Sequence, residues 1–197
     1  MTARKRVAIL ISGRGSNMSA LIEAAKAADY PAEIVGVLSN KPDAPGLGVA
    51  RAEGIPTAVV SMKAYGGKAG ADAQIDRVLT DWGVDIVCLA GFMRLLSAKL
   101  TEKWRGRMIN VHPSLLPAFK GLDTHARAIA ESATEHGCTV HFVTPEMDEG
   151  PVIVQARVPV LPGDTPDTLA ARVLEQEHRI YPEALRKLAS GQVSIST

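Results

Sequence analysis

Residues 7–11 are five apolar side chains in a row, with no polar residue among them. A continuous run of that length reads as a strand buried on both faces, as in a parallel sheet. Met18, Leu21, Ile22 and Ala25 then recur at helical spacing. The alternation continues. Residues 33–39 read as a strand, 44–54 as a short helix closed by Gly54, and 56–60 as a third strand. Ile75, Val78, Leu79 and Trp82 lie on one helical face, 86–90 read as a strand, Ser97 caps a short helix through Trp104, and 108–111 form a fifth strand. Strand and helix in alternation predict a Rossmann-like, doubly wound, mostly parallel sheet. Ligands of such sheets bind outside the carboxyl ends of the strands, which places residues 12–17, 91–96 and 110–112 on one rim.

The second half changes character. Residues 113–121 read as a loop and 124–132 as a helix. Residues 138–143 and 152–160 alternate in polarity and predict an antiparallel pair around the turn-rich stretch 144–150. Thr165 is a good N-cap, Pro166 suits the first helical position, and the helix they open runs to about Ala189, with Pro182 as a kink or break. The expectation is an α/β domain over residues 1–197 with an antiparallel C-terminal part, and nothing in the composition marks a boundary near residue 100.

Composition narrows the class. A net charge of +1 predicts no nucleic-acid or membrane partner. The basic N-terminus runs into an apolar stretch too short for a signal peptide, and no run approaches the length of a membrane span. Cys88 and Cys138 sit singly inside apolar runs, which reads as buried free thiols in a reducing cytoplasm. The histidines outside the strand-five motif, His125, His136, His141 and His178, have no metal-ligand spacing, so no metal is expected.

The candidate chemistry centres on Ile109-Asn110-Val111-His112-Pro113. Alternate residues of an extended chain share a face, so Asn110 and His112 point the same way, and Pro113 biases His112 toward extended geometry. An amide donor beside an imidazole suits chemistry at a carbonyl; a polar strand end satisfied by backbone is an equal reading. Asp148, in Met147-Asp148-Glu149-Gly150-Pro151, is a plausible carboxylate partner that would favour protonated His112, or else a turn residue. Gly13-Arg14-Gly15-Ser16-Asn17 lies between strand one and its helix, where freed backbone amides favour a phosphate. The third glycine of a dinucleotide fingerprint is absent, so a phosphate monoester is favoured over NAD; the other reading is a tight turn with Ser16 or Asn17 as cap. Arg94 is either an anion contact or a solvated strand-end charge.

These segments, with Leu89 through Ser97, His136-Gly137, Val140 through Val143 and Gln176-Glu177-His178, resemble the phosphoribosylglycinamide formyltransferases over nearly the whole chain. That family belongs to the formyl-folate superfamily and serves purine biosynthesis. The resemblance implies transfer of a formyl group from 10-formyltetrahydrofolate to the amine of glycinamide ribonucleotide, by a cytoplasmic monomer or homodimer without metal. It implies Asn110, His112 and Asp148 as the catalytic set. Gly15, Ser16 and Asn17 would hold the substrate phosphate, with Glu177 on the substrate side. Met93, Arg94, Leu95 and Leu96, with Thr144, Pro145, Glu146, Met147 and Asp148, would line the folate pocket, and Asn110 would border it. Lys68 falls where the family can carry a basic residue near the folate. Residues 1–100 would then form the phosphate-binding half and 101–197 the catalytic and folate-binding half. A cis bond before Pro117 is also implied. Asp123 and Pro145 depart from the family pattern, standing where a histidine and an acid are usual. The rivals are 10-formyltetrahydrofolate hydrolase, whose relatives usually carry an extra N-terminal domain, and methionyl-tRNA formyltransferase, which needs a basic surface. A catalytically silent folate- or nucleotide-binding module is a third.

Overall fold

The computed structural model describes residues 3–195. One seven-stranded sheet runs through it in the order β3-β2-β1-β4-β5-β6-β7. β1 (Lys5–Ile11), β2 (Ala32–Ser39), β3 (Thr57–Val59), β4 (Ile86–Leu89) and β5 (Met108–His112) are parallel. β6 (Glu135–Phe142) and β7 (Val152–Pro159) complete the sheet antiparallel. The helices are α1 (Ser16–Ala25), α2 (Pro45–Ala52), α3 (Lys68–Asp81), α4 (Ala98–Lys103), α5 (Thr124–Ala130) and α6 (Pro166–Ala189). The doubly wound, mostly parallel architecture is the one the sequence predicts.

The unbroken apolar run on β1 has a direct cause. Val7, Ile9 and Ile11 join one core with Met18 and Leu21 of α1 and Leu169 and Tyr181 of α6. Ala8 and Leu10 join the opposite core with Ile75 and Leu79 of α3 and Leu100 of α4. Every one of these side chains is buried, and each large one contributes about 1.5–3 kcal/mol by leaving water.

Strand order reverses between β1 and β4, which makes the crevice at their carboxyl ends the expected binding place. Ser12, the first residue after β1, pins that crevice. Its hydroxyl donates to Asn40 Oδ1 at 2.5 Å and accepts from the Met93 amide at 2.8 Å. Three strand ends are thereby tied together.

Two elements differ from the sequence expectation. β6 starts at Glu135 rather than residue 138 and is buried at every position but the first, instead of alternating. The reason is the loop after β5, which covers its second face: Thr139 Oγ1 donates to Ser114 O at 2.7 Å and accepts from Leu116 N at 3.1 Å. That loop contains the cis Leu116–Pro117 bond. α6 runs unbroken through Pro182 for 24 residues. A proline in a helix interior costs about 3 kcal/mol, and the burial of Ile180, Tyr181, Ala184 and Leu185 offsets it. Tyr181 Oη also donates to Leu89 O at 2.7 Å, locking α6 to β4. Glu177 lies one turn before Tyr181 on the same face, so this lock sets its position. Among the described residues no helix is long and apolar enough to cross a membrane.

Candidate active site

A cavity of about 700 Å³ opens beyond the carboxyl ends of β4 and β5, a size typical of small-molecule sites. Its walls are Met93 to Leu96 from the β4–α4 loop and Thr144 to Asp148 from the β6–β7 connection. Asn110 and His112 enter from β5, Asn17 from α1 and Glu177 from α6.

Asn110 and His112 share the face that extended geometry assigns them, two residues apart on β5. His112 Nε2 is 2.9 Å from Phe119 O, an oxygen that only accepts, so Nε2 carries a hydrogen. His112 Nδ1 is left facing Asp148 Oδ2 at 3.5 Å. Both ring nitrogens therefore meet acceptors. The pair is largely withdrawn from water, with the two side chains only 7% and 11% exposed.

Asp148 adopts a left-handed backbone, φ 56°, which aspartate tolerates better than most residues. Its Oδ2 accepts from the Gly121 amide at 2.9 Å. Two residues on, a Cβ at Gly150 would lie 1.7 Å from Phe142 O, so only glycine permits this return of the chain toward β6. The turn at Asp148 thus brings its carboxylate to His112.

His141 completes the group, and sequence reasoning passed over it. The β5–β6 register sets it opposite Asn110. Its Nδ1 donates to Phe142 O at 2.8 Å, and burial pushes its pKa below 6.5 against the opposing pull of Asp148. The ring is then neutral with a bare Nε2, which lies 3.4 Å from Asn110 Nδ2 and 3.9 Å from Asp148 Oδ1. This assigns the Asn110 nitrogen, not its oxygen, to the His141 side, leaving a second amide hydrogen for a ligand. The available signal was the antiparallel pair already read for 138–143, but its register against strand five is not written in the local sequence.

Across the cavity, Asn17 Nδ2 donates to Glu177 Oε2 at 2.7 Å. Burial raises the Glu177 pKa, with the Asn17 hydrogen bond and the His112 charge working in the opposite direction. Asn17 Oδ1 is buried without a partner among the described residues. Asn17 does not cap α1; the N-cap is Gly15 in a left-handed conformation, φ 74°, with no side-chain bond to the first turn. Gly15 and Ser16 stand outside the cavity lining, as does the exposed Lys68 at the start of α3. Arg94 lines the cavity but is not solvated, because its guanidinium is buried against Asp72. Among the described residues no group of three or more His, Cys, Asp or Glu forms a metal-binding cluster. Both cysteines are free and buried.

A second histidine pair borders the site. His125 Nδ1 lies 3.1 Å from His136 Nε2. Burial pushes His136 down to about 4 and lowers His125 and His178 as well. A folded value below 6.5 means that the unfolded chain takes the proton first on acidification, so stability falls as pH drops from 6.5 toward about 4. Calorimetric scans are expected to give a Tm that declines through this window, with a shallower decline for His136→Gln.

Residues 5–185 match the formyl transferase family. The chain belongs to the formyl transferase family. Within it, the phosphoribosylglycinamide formyltransferase of Escherichia coli (strain K12) is 44% identical over 189 residues, covering 96% of this chain and 89% of that protein. A crystal structure of phosphoribosylglycinamide formyltransferase from Brucella melitensis superposes with a TM-score of 0.91 at 54% identity, covering 98% of this chain and all of that one. The trifunctional purine biosynthetic protein adenosine-3 of Bos taurus is 50% identical over 192 residues, and this chain spans 19% of its length.

Proposed function

We propose that the chain transfers the formyl group of 10-formyltetrahydrofolate to the primary amine of glycinamide ribonucleotide, in purine biosynthesis. The observation that carries the proposal is the meeting of Asn110, His112 and Asp148 in one cavity. Asn17 and Glu177 present acceptors suited to a polar ribonucleotide. Met93, Leu95 and Met147 present exposed apolar surface suited to a folate. Gly15, Ser16 and Asn17, at the start of α1, are assigned to the substrate phosphate, and Lys68 to the acidic end of the folate.

The substrate amine attacks the formyl carbon, and the carbonyl π electrons move to oxygen. The free amide hydrogen of Asn110 and the positive charge of protonated His112 stabilise that oxyanion. Asp148 holds His112 charged and accepts the proton of the attacking amine. The oxyanion then collapses, the bond to N10 of the folate breaks, and the proton passes to that nitrogen. The products are the N-formyl ribonucleotide and tetrahydrofolate. Holding both reactants in one cavity supplies roughly 7–11 kcal/mol of the barrier reduction when they are well aligned.

A spectrophotometric assay with 10-formyl folate, with and without glycinamide ribonucleotide, tests the reading. Deformylation that requires the ribonucleotide supports it. Equal deformylation without the acceptor replaces it with a hydrolase.

A further inference from the structure

The β4–α4 loop walls one side of the cavity; its Phe92 and Leu96 are half-buried against the core that α3 and α4 share, while Met93 and Leu95 between them face outward. Met93 and Leu95 are 63% and 62% exposed. Apolar packing therefore holds Phe92 and Leu96 but gives residues 93–95 between them little support. Polar contacts add support at two points. At its start, the Met93 amide donates to Ser12 Oγ at 2.8 Å. At its end, Asp72 of α3 takes two donors at once: Arg94 Nη2 on Oδ1, and the Ser97 amide on Oδ2 at 2.8 Å. Ser97 in turn caps α4 by accepting from Leu100 N at 3.3 Å.

We propose that Asp72 is a positioning residue for the formyl folate, acting by clamping Arg94 and Ser97 so that the Met93–Leu96 wall keeps its shape. Asp72 itself is absent from the cavity lining. The clamp is buried, with the Arg94 and Asp72 side chains 5% and 6% exposed. Arg94 Nε and Nη1 have no partner among the described residues. Asp72 is therefore the carboxylate that offsets this guanidinium, and its loss strands a buried charge. The loop then moves to bring Arg94 to water, and the wall moves with it. Met93 and Leu95 are assigned to folate binding, and the reaction to Asn110, His112 and Asp148. The effect accordingly falls on folate affinity and not on the chemical step.

This inference rests on the proposed formyl transfer for its kinetic arm only. Asp72→Asn, Arg94→Met and the double variant are to be compared with the wild-type chain. The clamp predicts a formyl-folate KM raised about tenfold in each single variant, with kcat held within about twofold and the ribonucleotide KM unchanged. Both singles break one contact, so the double variant is no worse than either. Hydrogen exchange of residues 91–97 should speed up in Asp72→Asn, while β1 and β5 keep their protection. Unchanged exchange in residues 91–97 overturns the clamp, and so does a fall in kcat that tracks a fall in Tm with KM unchanged. A wild-type chain that transfers no formyl group overturns the proposed function instead, and the exchange comparison then decides the clamp alone.

Discussion

His112→Ala is expected to lower kcat by about a thousandfold, within the range for loss of a positioned acid or base, while KM for both substrates changes little. The imidazole spans two acceptors, Phe119 O and Asp148, and it lies in the wall of the cavity rather than across it. Its removal takes away the positive charge beside the oxyanion without emptying either substrate position. An alanine there also leaves the β5 backbone intact, because the pairing to β6 runs through main-chain groups. Steady-state kinetics on the purified variant check this. A turnover near wild type would remove His112 from the reaction.

Asp148→Asn carries the second large effect, a loss in kcat of about a hundred- to a thousandfold. The substitution keeps an oxygen for the Gly121 amide, so the turn at residues 147–150 has its anchor. It removes the charge that faces His112 Nδ1 at 3.5 Å and His141 Nε2 at 3.9 Å. His112 then loses the partner that favours its cation, and the amine loses its proton acceptor. The variant should fold with a Tm close to wild type and bind formyl folate. Calorimetry and a binding titration separate this outcome from simple collapse of the loop. Loss of folate binding together with activity would assign Asp148 to the architecture of the loop and not to the reaction.

The difference between what the sequence predicts and what the fold adds follows the range of the interaction. Asn110 and His112 are two residues apart on a strand, so their common face is a local fact and was legible. The β1 run announced a strand buried on both faces, because continuous apolar character is what two cores demand. Asp148 was legible as a residue type in a turn, but its approach to His112 depends on the loop between β6 and β7 folding back over β5. His141 was invisible as a partner of Asn110, since only the antiparallel register sets the two opposite. Arg94 gives no local sign of its burial, for the same reason. Its partner Asp72 lies 22 residues earlier on another element, and nothing local distinguishes a carboxylate facing an arginine from one facing water. Pro182 was read as a kink or break, whereas buried packing of α6 on both sides of it keeps the helix whole.

The central claim is that one cavity moves a formyl group directly from folate nitrogen to ribonucleotide amine. The most direct measurement follows the carbon itself, by NMR of a reaction begun with 13C-formyl-labelled folate and glycinamide ribonucleotide. Direct transfer places the label in the N-formyl amide of the ribonucleotide, one equivalent for each tetrahydrofolate released. Label collecting as free formate would contradict it.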